Sequence, residues 1–440
     1  MKQGRRTLLG LAVLGGISRF VGAAPADGVL DRELADIAGD PDCTLASLSV
    51  LAIRRGKVAY ARQFGQRYLD PAARPADRHT LYRIASISKM MTTLGVMMLV
   101  EQGKLDLDAD AGDYLGFALR NPHFPDRVVT LRTLLTHTSS LRDDAGYSWP
   151  ADTALSTILV PGASRHGKGE MWARNAAPGA YFTYCNLNWG VIGTVMERVT
   201  GERFDRLMKR LLLDPLGLRG GFNPSEFAPA DLANLATLYR KRTVDTEVWD
   251  AAGPWVAQVD DYGARAPAPP AGIAGYVIGA NATPFSPTGG LRVSAHDMGQ
   301  VMLMLMNGGR HHGRRLLAPA TIERMFARHW TYDGSNGDTN GGLFNCWGLG
   351  NQQFPDRPGM QLVDGGGFEG IGHLGEAYGL MSVFVFDPAT GNGMVALVGG
   401  TSSDPAARKG RHSSLARFEE RILTALYRRA ILADTAGQAG

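Results

Sequence analysis

Two apolar runs near the N-terminus are separated by a short basic turn. The first extends from Ser47 to Ile53 and the second from Val58 to Phe64, and both contain β-branched and aromatic residues. Runs of this length that flank a glycine-containing turn are typical of a β-hairpin. The pattern therefore predicts two paired strands early in the chain.

From Ser86 onward the apolar residues change to the spacing of a helix. Met90, Leu94 and Met97 lie three or four positions apart, and Gly103 follows at the end of the run. This period predicts a helix that begins near Ser86 and ends at Gly103. Further helical patterns occur at residues 131–135, 191–199, 204–213 and 298–306. The last is rich in methionine, which is more typical of core packing than of a ligand site.

Strand-like runs return near the C-terminus, where "LMSVFVFDP" and "GMVALVGG" are joined by the turn "ATGNG". An amphipathic helix is expected from about Leu415 to Leu432. Strands at both ends and helices between them favour an α+β unit whose sheet is built from both chain ends. We place its sheet part at about residues 30–80 and 290–432, and its helical part at about 81–285.

The stretch at about residues 221–287 departs from this regular pattern. It contains the sequence "GARAPAPPAG" and has no clear period. A long aperiodic segment rich in proline, alanine and glycine is typical of an insertion or covering loop.

The composition is that of a globular protein with little net charge. The chain has 440 residues, 44% of them hydrophobic and 20% charged, and a formal net charge of +4. No Lys/Arg cluster occurs beyond the N-terminus. These features argue against a nucleic-acid partner.

Residues 1–24 have the layout of an export signal. A basic start is followed by an apolar run from Leu8 to about Ile17 and by small residues at positions 22–24. The pair Arg5-Arg6 before Thr-Leu-Leu resembles a twin-arginine signal, and the alternative is an ordinary export signal. The apolar run is too short to span a bilayer, so no stable membrane anchor is predicted. We expect residues 25–440 to be one unit that is exported to the periplasm or the cell exterior.

Three cysteines, Cys43, Cys185 and Cys346, are too few for a disulfide scaffold. A bridge between Cys43 and Cys346 is chemically possible in an oxidising compartment. However, the twin-arginine route generally carries proteins that have folded in a reducing compartment, so we expect no essential disulfide. None of the three has metal-ligand spacing, and no zinc site is predicted.

Ser86 and Lys89 lie one helical turn apart and share a face of the first predicted helix. A serine hydroxyl is a weak nucleophile, and a lysine can serve as its base when burial or nearby positive charge lowers the lysine pKa. The alternative is a capped helix with an exposed lysine. The apolar helix around Lys89 argues against it, because an unpaired charge there is costly. Ser88 is a competing nucleophile, but it lies directly before Lys89 and is expected to point elsewhere.

Tyr184, Cys185 and Asn186 precede a second predicted helix, which Asn188 is expected to cap and Gly201 to end. Residues two apart in an extended segment face the same side, so Tyr184 and Asn186 share one side and Cys185 takes the other. A phenol can transfer a proton, and an amide can hold a substrate carbonyl or amide. The alternative is a surface loop with ordinary turn chemistry.

Residues 370–375, "GIGHLG", match the spacing of a dinucleotide-binding turn. Such a turn must follow a strand and open a helix. Here the preceding run is not strand-like, and the following run predicts a strand. The dinucleotide hypothesis fails on this context, and Gly370 and Gly372 are interpreted as the approach to that strand.

Taken together, three motifs resemble the serine β-lactamase and penicillin-recognising hydrolase superfamily. They are Ser86-x-x-Lys89, Tyr184-x-Asn186 and His373-x-Gly375, in the order and spacing of that superfamily. "VTLRTLLTHTSSL" resembles the family run "LLTHTSGL", and "GHLGEAYG" resembles "GHTGGTPG". The resemblance covers roughly residues 45–400, with an atypical middle. It implies a β-lactamase/transpeptidase-like fold with an antiparallel sheet of about five strands flanked by helices.

The resemblance also implies roles for individual residues. Ser86 would be the acylated nucleophile, and Lys89 and Tyr184 would form the proton-transfer network, with either as the formal base. Asn186 would hold a substrate amide, and His373 and Gly375 would lie on an edge strand where the substrate pairs with backbone. The backbone N–H groups of Ser86 and Glu376 would form the oxyanion hole.

Two positions bear on the substrate. Many β-lactamases have a lysine at the position of His373, whereas a histidine is more typical of the carboxypeptidase, peptidase and esterase members. Glu376 replaces a residue that is usually small, and its carboxylate would either face away or discourage anionic substrates. The resemblance thus implies a single catalytic unit that hydrolyses a D-Ala-D-Ala-like peptide or an ester through an acyl-enzyme.

Other function classes remain as alternatives. They are a true class C type β-lactamase and a non-catalytic penicillin-binding or sensor protein on the same fold. His137 is interpreted as structural and His311-His312 as a surface turn. No metal and no cofactor are predicted, and the oligomeric state is left open.

Overall fold

The computed structural model describes residues 28–69, 72–263 and 265–432. The predicted export signal at residues 1–24 lies outside these ranges. The α-helices are α1 (Gly28–Ala38), α2 (Ile87–Glu101), α3 (Ala111–Leu115), α4 (Leu131–Leu135), α5 (Ser156–Leu159), α6 (Leu187–Thr200), α7 (Phe204–Met208), α8 (Asp214–Leu216), α9 (Pro229–Ala233), α10 (Ala295–Met306), α11 (Pro319–Phe326) and α12 (Arg417–Leu426).

The strands are β1 (Ser47–Arg54), β2 (Lys57–Tyr68), β3 (Arg74–Pro75), β4 (Tyr82–Arg83), β5 (Leu238–Lys241), β6 (Trp255–Val259), β7 (Arg292–Val293), β8 (Arg310–His311), β9 (Arg314–Arg315), β10 (Trp330–Thr331), β11 (Cys346–Trp347), β12 (Gln352–Phe354), β13 (Gly370–Ala377), β14 (Leu380–Asp387), β15 (Asn392–Val398) and β16 (Gly400–Thr401). The expected hairpin, the long helix after Ser86 and the two C-terminal strands are all present.

The main sheet joins the two ends of the chain. Its order is β10-β11-β12-β13-β14-β15-β1-β2-β3, and every neighbouring pair is antiparallel. The five long central strands are β13, β14, β15, β1 and β2. The predicted antiparallel sheet of about five strands is therefore confirmed, and short strands extend it on both sides.

Helices cover both faces of this sheet. In β1, Leu51 and Ile53 belong to the core that includes α2 and α10, whereas Val50 and Ala52 belong to the core formed with α1 and α12. A strand that is covered on both faces has a nearly continuous apolar sequence. Helix α2 packs against β13 on one of these faces, which brings Ser86 beside the "GIGHLG" strand.

Residues 370–377 form β13 over their whole length, so the interpretation of Gly370 and Gly372 as an approach to the strand is wrong. A β carbon at Gly372 would lie 1.8 Å from the carbonyl oxygen of Phe384 on β14. Glycine is disfavoured in strands, but it is needed where two backbones come this close.

The predicted edge is confined to the second half of β13. The short strand β12 pairs with Gly370, Ile371 and Gly372, so the first half of β13 lies inside the sheet. From His373 to Ala377, the described part of the chain provides no strand on that side. The open edge therefore begins at the histidine of the third motif.

The stretch at residues 221–287 is more ordered than expected. Within it, β5 pairs with β6 and also, in parallel, with β16 beside the main sheet. Its end is held by the buried carboxylate of Glu197 on α6, which accepts hydrogen bonds from the backbone N–H groups of Gly279 (2.8 Å) and Phe204 (2.8 Å) and from the Tyr276 hydroxyl. Glu197 therefore attaches this segment to the helix that follows Asn186.

The three cysteines are buried free thiols. Within the described ranges, no helix combines the length and apolar character needed to cross a bilayer.

We expect Glu197→Gln to lower the free energy of unfolding by about 1–3 kcal/mol, because an amide cannot accept all three hydrogen bonds and turns an N–H toward a buried donor. Urea unfolding followed by circular dichroism measures this change. Glu202→Gln is the matched control, since its carboxylate forms a surface ion pair with Arg210 that is worth at most about 1 kcal/mol. Equal effects of the two substitutions would contradict the role given to Glu197.

Candidate active site

Ser86 lies at the N-terminus of α2 and at the wall of a cavity of about 950 Å³. The residue before it, Ala85, has φ = +46°, a left-handed conformation that is unfavourable for a side chain with a β carbon. This conformation turns the chain sharply from β4 into α2. Strain of this kind is maintained where the surrounding structure holds it in place, and it is common at functional sites.

The amine of Lys89 is buried beside the Ser86 hydroxyl. Its Nζ lies 3.0 Å from Ser86 Oγ, 2.8 Å from Asn186 Oδ1 and 3.2 Å from the carbonyl oxygen of Thr288. Burial lowers the pKa of Lys89 to about 7, and the negative charge of Asp143 partly opposes that shift. Near neutral pH the amine is thus divided between its protonated and neutral forms, as a general base requires.

Ser88, the competing serine, is fully buried, and its Oγ accepts a hydrogen bond from the backbone N–H of Leu291 (3.1 Å). It holds the segment that follows Thr288 against α2. Ser86 is therefore the serine of this motif that faces the cavity.

The phenol of Tyr184 lies between the lysine and a group of aromatic rings. Lys89 Nζ is 4.7 Å from the centre of the Tyr184 ring. His137 stacks on the ring at 4.4 Å and Phe344 at 5.0 Å. Burial raises the pKa of Tyr184 well above its usual value, while its interaction with Ser86 acts in the opposite direction. Tyr184 is therefore a neutral phenol that can donate a proton.

Asn186 faces the same side as Tyr184, and Cys185 takes the opposite, buried side, as expected from their spacing. The amide oxygen of Asn186 accepts from both Lys89 Nζ (2.8 Å) and the Thr288 hydroxyl (2.8 Å). Its Nδ2 donates one hydrogen to Asp143 Oδ2 (2.9 Å). The second Nδ2 hydrogen is the part of this amide that remains for a substrate.

Asp143 fixes this arrangement. Its carboxylate also accepts from the backbone N–H groups of Asn186 (2.8 Å) and Leu187 (2.9 Å) at the start of α6. A carboxylate at a helix N-terminus is favoured because it accepts from unpaired N–H groups near the positive end of the helix dipole. Asn188, which was expected to cap α6, instead lies inside the helix and bonds to Ser139 (2.7 Å), so that prediction is wrong.

His373 is buried on β13, close to Tyr184 and Trp347. Burial and the charge of Lys89 lower the pKa of His373 to about 3. The ring is therefore neutral, and its Nδ1 donates to the carbonyl oxygen of Leu374 (2.5 Å), which leaves Nε2 as an acceptor without a partner among the described residues. A neutral histidine cannot replace a lysine that pairs with a substrate carboxylate.

Gly375 lets β13 approach the nucleophile. A β carbon there would lie 3.1 Å from the backbone nitrogen of Ser86 and 2.6 Å from the carbonyl oxygen of Ile84. Side chains alternate along a strand, so Glu376 points to the opposite face of the sheet. It is exposed and lines the cavity, and its charge adds to burial in raising the pKa of Glu419 on α12.

The structure thus brings together Ser86, Tyr184, Asn186, His373, Gly375 and Glu376 around one cavity of about 950 Å³, with the Lys89 amine behind Ser86. No group of three or more described His, Cys, Asp or Glu side chains is arranged to hold a metal ion.

Sequence reasoning missed Asp143 and Thr288, because neither belongs to a spaced motif. Asp143 has one available signal, since it lies two residues after the end of the "LLTHTSSL" run. His137, interpreted as structural, accepts a hydrogen bond from the backbone N–H of Cys185 (2.9 Å) and supports the Tyr184 ring.

Known proteins share this architecture. The β-lactamase family matches residues 31–417. The chain is 33% identical to esterase EstB of Burkholderia gladioli over 223 residues. This aligned stretch covers 47% of this chain and 54% of the esterase. It resembles the octameric penicillin-binding protein homologue from Pyrococcus abyssi with a TM-score of 0.61 and 24% identity, covering 86% and 74% of the two chains. For the D-amino acid amidase from Ochrobactrum anthropi SV3 complexed with D-phenylalanine, the TM-score is 0.62 at 19% identity, covering 91% and 99%.

These similarities differ in what they establish. The match to EstB spans about half of that protein. The two structural similarities are both under 25% identical and concern the fold.

We expect Asp143→Asn to weaken the site in two measurable ways. Asparagine has one acceptor oxygen where aspartate has two, so one of the two backbone N–H groups loses its partner, and the free energy of unfolding should fall by about 1–3 kcal/mol. Removal of the negative charge should also lower the pKa of Lys89 below its value of about 7. The pH midpoint for labelling Ser86 with a fluorescent phosphonate should therefore move to lower pH. Asp144→Asn, at the neighbouring exposed position, is the control, and an unmoved midpoint in Asp143→Asn would refute the coupling.

Proposed function

Because the chain belongs to the β-lactamase family, we propose that it is a serine hydrolase that works through an acyl-enzyme intermediate. One observation carries the proposal. A buried amine, whose pKa burial has lowered to about 7, lies 3.0 Å from the hydroxyl of a serine that faces a large cavity. An activated nucleophile of this kind attacks carbonyl carbon and forms a covalent intermediate.

In the acylation step, neutral Lys89 takes the proton of Ser86 Oγ, and the oxygen attacks the substrate carbonyl. The resulting oxyanion accepts hydrogen bonds from the backbone N–H groups of Ser86 and Glu376, which lie on either side of the close contact at Gly375. The C–N or C–O bond then breaks, and the neutral phenol of Tyr184 protonates the leaving group.

Tyr184 is then reprotonated through Lys89, which returns to its neutral form, and the acyl group remains on Ser86. In the second step, water loses a proton to the same network and hydrolyses the acyl-serine. The raised pKa of Tyr184 favours Lys89 as the base and the phenol as the relay. Asn186 positions the acyl group through its remaining N–H.

We propose a small ester or a D-Ala-D-Ala-like peptide as the substrate. The names of the relatives, an esterase and a D-amino acid amidase, support this range. A true β-lactamase is disfavoured because His373 is neutral and cannot pair with a lactam carboxylate. For the same reason an ester ranks above a peptide whose leaving group ends in a free carboxylate. A non-catalytic penicillin sensor would not need the lowered pKa of Lys89. We also propose export of the protein to the periplasm or the cell exterior, on the basis of residues 1–24.

Ser86→Ala should abolish covalent labelling by a fluorescent penicillin or phosphonate and should reduce ester hydrolysis by at least about 10³-fold, because no other cavity serine has an adjacent base. Nitrophenyl esters, D-Ala-D-Ala peptides and a chromogenic cephalosporin form the substrate panel. Ser148→Ala, at an exposed serine of the same cavity, is the control. Labelling that survives in Ser86→Ala would end the assignment, and rapid release of hydrolysed cephalosporin would favour the β-lactamase alternative.

The rate of hydrolysis should rise with pH and level off above about 7, because the neutral form of Lys89 is the base and its pKa is about 7. Lys89→Met keeps the side-chain volume and should remove both the activity and this rise, by about 10²–10⁴-fold in kcat. Lys104→Met, at an exposed lysine just beyond α2, is the matched control. A rise that persists in Lys89→Met would assign the titration to another group.

A further inference from the structure

The cavity around Ser86 has an uneven distribution of charge. The acidic side chains of Glu376 on β13 and Glu419 on α12 both line the cavity. Burial raises the pKa of Glu419 to about 7, and the charge of Lys409 partly opposes that shift. Two arginines, Arg83 and Arg240, also line the cavity. Neither has an ion-pair partner among the described residues, so their charges are available to a ligand.

Arg83 is held in place without being neutralised. It lies three residues before Ser86 on β4, and its Nε donates to the carbonyl oxygen of Gly289 (3.1 Å). Its guanidinium carbon lies 5.2 Å from the centre of the Tyr378 ring. The two terminal nitrogens have no hydrogen-bond partner within the described part of the chain. An arginine fixed in this way presents its remaining donors to whatever occupies the cavity.

The carboxylate that acts most strongly on the Arg83 charge, Asp260, is already occupied. Asp260 accepts from Arg292 Nη2 (2.8 Å) and Nε (3.1 Å) and from the Tyr262 hydroxyl (3.1 Å). Burial and repulsion by Arg292 lower the pKa of Arg83 to about 10, so Arg83 remains charged at neutral pH. Asp260 therefore does not form an ion pair with Arg83 and leaves its charge in place.

Arg240 belongs to the same wall. It lies on β5 with its guanidinium carbon 5.2 Å from the Trp249 ring, and its Nε has no acceptor among the described residues. A β carbon at Gly379 would lie 2.8 Å from Arg240 Cγ. Arg83 and Arg240 thus pack on two consecutive residues, Tyr378 and Gly379, of the turn that follows β13.

The position of this turn indicates which part of a substrate it meets. Tyr184, which protonates the leaving group, contacts His373 at the start of the open edge. The turn lies beyond Ala377, four residues and about 13 Å further along β13. The leaving group therefore occupies the end near Tyr184, and the acyl part extends toward the arginines. Exposed Tyr147 and Tyr378 also line this end of the cavity.

We propose that Arg83, assisted by Arg240, binds a carboxylate on the acyl part of the substrate, so that the preferred substrates are esters or amides of dicarboxylic or other carboxylate-bearing acids. This inference rests on the proposed function and narrows its substrate. A guanidinium with two free terminal nitrogens matches the two oxygens of a carboxylate. A carboxylate on the leaving group would instead meet the uncharged His373.

The test compares three nitrophenyl esters of similar size. The first is 4-nitrophenyl hydrogen glutarate, with a carboxylate on the acyl part. The second is the neutral 4-nitrophenyl pentanoate. The third is the pentanoate of 4-hydroxy-3-nitrobenzoic acid, with its carboxylate on the leaving group. We expect kcat/KM for the glutarate to exceed that for the neutral ester by about tenfold to a hundredfold, and the preference to weaken at high salt.

Arg83→Gln should reduce the glutarate-to-pentanoate ratio by at least about tenfold, and Arg240→Gln should reduce it by less. Arg83→Lys keeps the charge without the paired donors and should retain part of the ratio. This intermediate ratio separates the loss of the carboxylate contact in Arg83→Gln from a loss caused by poor folding. Arg314→Gln, on the exposed strand β9, should leave the ratio unchanged.

Three outcomes would overturn the inference. They are equal rates for the glutarate and the pentanoate, a preference for the ester with the charged leaving group, or an unchanged ratio in Arg83→Gln. If hydrolysis of the neutral ester did not depend on Ser86, the proposed function itself would fail, and the inference with it. Ser86-dependent hydrolysis without a carboxylate preference would refute the inference alone.

Discussion

The site depends on an amine that is buried and has no carboxylate ion-pair partner in the described part of the chain. Among those residues, Lys89 Nζ contacts only neutral groups at hydrogen-bond distance: the Ser86 hydroxyl, the Asn186 amide oxygen and the Thr288 carbonyl. A direct ion pair would stabilise the ammonium form and keep its pKa high, whereas burial alone would push the proton off. Asp143 is bonded to Asn186 and not to the amine. Its charge therefore moderates the effect of burial on the Lys89 pKa without forming an ion pair with the lysine.

Several distant parts of the fold serve to hold those three acceptors. Asp143 orients Asn186 at the start of α6, and Ser88 anchors the backbone after Thr288 through Leu291. The buried Arg292 reaches from that same backbone to Asp260 in the 221–287 segment. The long middle segment is therefore coupled to the position of the Lys89 amine, and it also supplies Arg240 to the cavity wall.

Local sequence patterns predicted the elements that carry a strong period. The resemblance correctly indicated the sheet, and the motif residues that it named lie around one cavity. The nearby residues that have no period were missed. Asp143 acts through backbone N–H groups that come from a distant part of the chain, and Thr288 acts partly through its carbonyl, which carries no side-chain signature. Gly372 was misread because glycine usually interrupts a strand, and its need for space depends on Phe384 of the neighbouring strand. Asn188 looked like a helix cap because cap preferences are local, but the carboxylate of Asp143 already occupies that position.

The open half of β13 can pair with a substrate, and it can also promote aggregation. An unpaired strand edge in a mostly apolar sheet is a template on which strands of other molecules can add, and this leads to aggregation. Here the edge from His373 to Ala377 is recessed at the wall of the cavity, and β12 covers the strand up to Gly372. At about 3.3 Å per residue, the exposed length admits roughly four residues of an extended chain. A short acyl or peptide segment can therefore pair with this edge, while the flat strand of a second protein molecule is kept out by the walls.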